Sequence, residues 1–289
     1  VPVTAHSVAG GPYTVTAQVD SLSTNFSLTN LVGPPASVSI TGGNLQSATI
    51  LTAFTNPLAV VVRDAGSNLV SGTNVTFTAP ASGASGVFSN LTNTITVATN
   101  ASGAASVPVS ANATVGGYGV SAQAGTASTS LGLTNTVGAP ASIAVNGGNS
   151  QSATILTSFV APLAVIVRDA GNNPVPGANV TFTAPASGAS AVFSNLTNAI
   201  TIATNGSGVA SAPVSANATA GGPYNVTAQV GAFSTSFSLT NNVGAPASIA
   251  VTGGDNQSTA ILTAFASPLA VVVRDLGNNP VSGASVTFT

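Results

Sequence analysis

Residues 163–183 read Leu163-Ala-Val-Ile-Val-Arg168-Asp169-Ala-Gly-Asn-Asn-Pro-Val-Pro-Gly177-Ala-Asn179-Val-Thr-Phe182-Thr183. Two alternating runs flank a segment dense in Gly, Asn and Pro. In the first run Leu163, Val165 and Val167 share one face, and Ala164, Ile166 and Arg168 share the other. In the second, Val180 and Phe182 oppose Thr181 and Thr183. A period of two is that of a half-buried strand. The segment Gly171–Gly177 supplies the turn between them.

The same reading returns upstream and downstream. Leu58-Ala-Val-Val-Val-Arg63-Asp64-Ala-Gly and Leu269-Ala-Val-Val-Val-Arg274-Asp275-Leu-Gly repeat it at intervals of 105 and 106 residues. Tyr13, Tyr118 and Tyr224 keep the same intervals. So do Pro35, Pro140 and Pro246, each in a Val-Gly-x-Pro-Ala-Ser segment. A period of about 105 residues exceeds the roughly 20–50 of solenoid repeats. It matches one small independent domain. The expected organisation is a complete repeat at 33–137, another at 138–243, the C-terminal part of a repeat at 1–32 and the N-terminal part of one at 244–289. Both ends fall inside a repeat. This is expected of a window on a longer array. The alternative is a protomer whose open ends are completed by another copy, against which stands the missing counterpart of residues 79–106. The linkers are short and carry Pro, which favours a semi-rigid string of domains.

The rest of the 138–243 unit reads in the same way. Ala141–Val145, Ala191–Phe193 and Ala199–Ala203 are expected strands. Tyr224, Val226, Ala228 and Val230 form the inner face of the next, and Phe233, Phe237 and Leu239 line the last. No helical period appears. Seven or eight short strands per repeat predict an all-β fold of tandem antiparallel β-sandwiches. Gly-Pro-Tyr224 fits a tyrosine corner whose hydroxyl returns to the backbone.

Composition narrows the chemistry. The chain has 289 residues, three Lys plus Arg, five Asp plus Glu, one His and no Cys, Met or Trp. All the basic residues are Arg and all the acids Asp. Thiol chemistry, disulfides and lysine-based crosslinks are excluded. A net charge of −2 without a basic stretch leaves no footprint for nucleic acid or anionic lipid. No apolar run approaches the roughly 18 residues of a membrane span. Aromatics are 5% and Ala and Val dominate the apolar fraction, so thin cores are expected.

Val167-Arg168-Asp169-x-Gly-Asn-x-Pro-Val-x-Gly-x-x-Val-Thr-Phe182, Ala203-Thr-Asn-Gly-Ser-Gly-Val-Ala210 and Tyr224-x-Val-Thr-Ala228 together resemble the bacterial Ig-like domains of invasin and intimin type. The resemblance covers essentially the whole chain. It implies a tandem scaffold or spacer in a bacterial cell-surface or extracellular fibre protein. The chain departs from typical members in its near absence of charge.

Several residues recur as candidate sites. Arg63-Asp64, Arg168-Asp169 and Arg274-Asp275 are expected to be structural, with Asp closing a turn and Arg covering the outer face. The alternative is a salt-bridging or ligand-gripping pair. Calcium needs several converging carboxylates, and one Asp per repeat does not supply them. His6 stands alone, and no nucleophile–base arrangement accompanies it. No metal, cofactor or catalysis is expected. Asn-x-Ser/Thr sequons at Asn74, Asn90, Asn179, Asn195 and Asn217 are candidate glycan acceptors. A surface this poor in charge, with mean hydropathy +0.48 and edge strands free of Lys and Glu, is expected to be covered by lateral packing or by glycan. The expected function is an extracellular structural fibre, sheath or stalk whose partners are other copies or neighbouring repeats. The alternatives are an adhesin for a glycan, receptor or neighbouring cell, and an accessory module of a larger secreted enzyme.

Overall fold

The computed structural model describes residues 1–289. Every assigned element is a strand. Residues 1–32 contribute β1 (Gly10–Val19) and β2 (Leu22–Asn30), one antiparallel hairpin. The next repeat holds β3 (Ser37–Gly42), β4 (Gln46–Thr49), β5 (Leu58–Arg63), β6 (Asn74–Thr78), β7 (Gly86–Phe88), β8 (Thr94–Ala98), β9 (Ala104–Val107), β10 (Val109–Ala111), β11 (Gly116–Ala124) and β12 (Ala127–Thr136). The second complete repeat holds β13 (Ser142–Gly147), β14 (Gln151–Thr154), β15 (Leu163–Arg168), β16 (Asn179–Thr183), β17 (Ala191–Phe193), β18 (Ala199–Ala203), β19 (Val209–Ala212), β20 (Val214–Ala216), β21 (Gly221–Val230) and β22 (Phe233–Asn242). The pair β23 (Ser248–Gly253) and β24 (Ala270–Arg274) follows. The chain forms two compact units, Val1–Gly138 and Ala139–Thr289.

Each complete repeat is a sandwich. In the first, a five-stranded sheet in the order β4-β12-β11-β6-β8 faces a three-stranded sheet in the order β3-β5-β9, and β7 pairs with β10. The second repeats this with β14-β22-β21-β16-β18, β13-β15-β19 and β17-β20. Neighbours are antiparallel except β4 with β12 and β14 with β22, which run parallel. Alternation decides which side chains go inward. Leu58, Val60 and Val62 of β5 meet Val75 and Phe77 of β6 and Leu131 and Leu133 of β12 in one buried cluster. In the second repeat Phe182 packs on Phe193 and on Phe237, with ring centroids 6.3 and 6.2 Å apart. Burying a side chain of this size contributes roughly 1.5–3 kcal/mol, so a few Phe, Leu and Val anchor a sandwich otherwise built from Ala, Ser and Thr.

The all-β sandwich expectation holds, with ten strands per repeat rather than seven or eight. The additional ones, β14, β19 and β20, are short runs of Ala, Ser, Val, Gln and Thr with too little bulk to show alternation. Pro213 separates β19 from β20 because it offers no amide to the ladder. Phe233, expected inward, is 40% exposed because it flanks the tip of the β21–β22 hairpin opposite Val230.

Candidate functional site at the joint between repeats

The recurring Arg-Asp pair ends β5, β15 and the strand β24. In the unit Val1–Gly138 the loop after β5 closes on its own aspartate. Asp64 Oδ1 accepts the amides of Gly66 at 2.9 Å and Asn68 at 2.8 Å, and Asn68 Nδ2 donates to both Asp64 oxygens at 3.0 Å. The remaining valence turns outward. Asp64 Oδ2 accepts the amide of Gly33, in the linker, at 2.9 Å. Asn68 Nδ2 donates to the Ser7 carbonyl at 2.7 Å, and Asn68 Oδ1 accepts the Ala9 amide at 3.0 Å. One Asp-x-Gly-x-Asn loop thus grips both the linker and the preceding segment, residues 1–32.

The same grip recurs in the unit Ala139–Thr289. Asp275 Oδ2 accepts the Gly244 amide at 2.9 Å, and Asp275 Oδ1 accepts the Asn279 amide at 2.8 Å. Asn279 Nδ2 donates to the Ala218 carbonyl at 2.8 Å, and its Oδ1 accepts the Ala220 amide at 3.0 Å. Glycine is required at the centre of this loop. A Cβ on Gly66 would lie 2.0 Å from the Ser7 carbonyl oxygen, and one on Gly277 would lie 2.0 Å from that of Ala218. Asp169 makes the same bonds within its loop, to the amides of Gly171 and Asn173 at 2.9 Å.

These donors set the electrostatics. The Gly33 amide and the Asn68 side chain hold the Asp64 carboxyl below its ordinary range. At Asp275 burial pushes the carboxyl up, but the amides of Gly244 and Asn279 outweigh it and the net direction is down. The arginines turn to backbone instead of the adjacent Asp. Arg63, Arg168 and Arg274 donate through Nη1 to the carbonyls of Ser67, Asn172 and Asn278 at 2.7, 2.8 and 2.7 Å. The arrangement ties one segment of the chain to another by charge-assisted hydrogen bonds at the aspartate and neutral ones at the asparagine. No group of three or more potential metal ligands converges anywhere.

The tyrosines lie at the head of the long hairpins. The expected return of their hydroxyls to the backbone gives way to an asparagine on the partner strand. Tyr224 donates to Asn241 Oδ1 at 2.8 Å and Tyr13 to Asn30 Oδ1 at 3.1 Å. Tyr118 differs: its hydroxyl is buried without a partner, and so is Asn135 Oδ1. One residue also distinguishes this hairpin from the other two. Pro12 and Pro223 precede the first and third tyrosines and create a bulge, whereas β11 pairs with β12 without a shift from Gly116 to Ala124. Burial raises the Tyr224 phenol to about 12 and pushes Tyr118 up as well.

Among the sequons, Asn74 and Asn179 lie in β6 and β16, and Asn90 and Asn195 lie on exposed turns. Asn217 is half-buried, with its amide tied to Ser190, Thr219, Asn241 and Gly188. Reading the sequence for charge singled out Asp64 and Asp275 but missed Asn68, Asn279, Gly33 and Gly244. The signal was present, since the Asn recurs four residues after each Asp and the Gly recurs in each linker.

No family description and no curated protein matches this sequence. Solved structures do. The Escherichia coli adhesin FdeC aligns over 88% of this chain and 78% of its own, with a TM-score of 0.50 and 15% identity. The fold is bacterial Ig-like. Invasin, a bacterial integrin-binding protein, aligns over 86% of this chain and 49% of its own, with a TM-score of 0.38 and 22% identity. The surface-layer protein SbsC, domains 4–9, covers 93% of this chain and 42% of its own, with a TM-score of 0.31 and 15% identity. The Ig-like fold thus agrees with the resemblance carried by the Arg-Asp, Asn-Gly-Ser-Gly and Tyr segments.

Proposed function

We propose that this chain is a structural, non-catalytic part of a bacterial cell-surface or extracellular protein, in which tandem Ig-like sandwiches act as a stiffened spacer. The joint carries the reading. Two independent units place an Asp-x-Gly-x-Asn loop against the preceding segment and hold it there with the same bonds. Such a joint converts a string of domains into a semi-rigid element, which a fibre, sheath or stalk needs and a flexible tether does not. The near absence of charge supports lateral packing of copies, because little electrostatic repulsion keeps neighbours apart. The fold neighbours include an adhesin as well as a surface-layer protein by name, so a role in attachment is the second reading.

The test is genetic and topological. Protease shaving of intact cells should release peptides of this chain, and deletion should remove surface material seen by electron microscopy while attachment persists. Loss of attachment with the surface layer intact would favour the adhesin. Failure of shaving to release any peptide would overturn both.

A further inference from the structure

Both complete repeats carry an apolar groove beside a sequon. The first has a volume of about 510 Å³ and is lined by Leu51, Val87, Phe88, Leu91, Pro108 and Val109 among others. The second, about 450 Å³, is lined by Phe159, Val160, Val192, Phe193, Leu196 and Pro213 among others. Ser89 and Leu91 bracket Asn90 on the rim of the first, and Ser194 and Leu196 bracket Asn195 on the second. The central residues of these turns are unusual. Leu91 and Leu196 both adopt φ of 62°, in the left-handed region that favours Gly or Asn, and each is 86% exposed. Packing inside the repeat does not account for a leucine there.

The two sequons share one geometry. Thr92 Oγ1 donates to Asn90 Oδ1 at 3.0 Å, and Thr197 Oγ1 donates to Asn195 Oδ1 at 3.0 Å. Each Asn is exposed, on a turn outside the ladders. Its Nδ2 donates to one carbonyl, Thr94 or Ala199, at 2.8 Å, and a primary amide has a second N–H to offer. Asn217, by contrast, is half-buried, and its Oδ1 accepts from the Ser190 and Thr219 amides and from Asn241 Nδ2, while Asn74 and Asn179 lie within strands.

We propose that Asn90 and Asn195 are N-glycan acceptors and that the first sugars lie over the adjacent apolar grooves. The donor is a glycosyl diphosphate presented by a transferase. The Asn Nδ2–C1 bond forms as the C1–oxygen bond to the diphosphate breaks. The diphosphate leaves with the electron pair, and one Nδ2 proton passes to a base on the transferase. The C–H face of a pyranose is apolar and fits a floor of Leu, Val and Pro. Its hydroxyls supply the hydration that this surface otherwise lacks, since the chain has few charged groups.

Protein purified from its native source, digested with a broad-specificity protease and fragmented by electron transfer, tests the acceptors. The expected result is a hexose- or hexosamine-containing increment on Asn90 and Asn195 and none on Asn217. Bare Asn90 and Asn195, sugar confined to Thr92 and Thr197, or sugar on Asn217 would overturn the assignment. The groove is tested separately by binding of an apolar fluorescent dye before and after removal of the glycan by an amidase. Dye binding several-fold higher after removal, and reduced again by L91S with L196S, is expected. Unchanged dye binding would overturn the covering of the groove.

Discussion

Replacing Tyr224 and Tyr118 by Phe should have opposite consequences, although the two residues are equivalent in the repeat. Tyr224 donates to Asn241 Oδ1 at 2.8 Å, and Asn241 is only 2% exposed. Y224F strands that acceptor in the interior, at a cost of about 1–2 kcal/mol. The Tyr118 hydroxyl is already buried without a partner, and Asn135 Oδ1 stays unpartnered in either case. Y118F therefore relieves a desolvated hydroxyl and should be neutral or stabilising by up to about 1 kcal/mol. Hydrogen exchange with peptide resolution reads each repeat inside the whole chain. Amides of β21 and β22 that exchange by opening of their repeat should speed up about 5- to 30-fold in Y224F. Those of β11 and β12 should be unchanged or slower in Y118F. Equal acceleration in both variants would refute the difference between a bonded Tyr224 hydroxyl and an unpartnered Tyr118 hydroxyl.

Acid should loosen the joints. The folded Asp64 and Asp275 carboxyls titrate below the ordinary carboxylate value. Their contribution is therefore complete above that value and is lost as pH falls through the folded one. Exchange of the Gly33 and Gly244 amides should accelerate beyond the intrinsic trend only at strongly acid pH, and D64N should abolish that step at Gly33. Base acts on the tyrosines with the opposite sign. Because the folded Tyr224 phenol is raised to about 12 from 10.0, stability from this group is complete below about pH 10 and declines as pH rises towards 12. An ultraviolet phenolate titration should show Tyr118 and Tyr224 ionising late, and together with unfolding. G66A should open the first joint by at least about 1 kcal/mol, because its Cβ would meet the Ser7 carbonyl backbone at 2.0 Å. Limited proteolysis of the 31–36 linker in G66A reads this directly.

Much of the fold was legible because its signals are local. The alternation in Leu163–Arg168 and Asn179–Thr183 specifies strands that bury Val165, Val167, Val180 and Phe182 completely, and the period of about 105 residues sets the repeat. Strands such as Val209–Ala212 were not legible, because small residues carry no contrast between faces. The joint was half legible. A charged Asp in a nearly uncharged chain attracts notice, but its partners are backbone amides and an Asn, which no composition argument distinguishes from turn formers. The Tyr118 exception is marked in the sequence only by the absence of the proline that precedes Tyr13 and Tyr224, and the partner of a hydroxyl depends on side-chain placement that this pattern does not carry.

Asp64 and Asn68 lock the segment 1–32 against the following repeat. The chain contains no cysteine, so S23C and S121C introduce two clean labelling sites at exposed positions on either side of this joint. Pulsed dipolar spectroscopy between spin labels there should give a narrow distance distribution that broadens severalfold when N68A removes the bonds to Ser7 and Ala9. A distribution that is broad from the start, or a narrow one that N68A leaves unchanged, would mean that these bonds do not hold the segment.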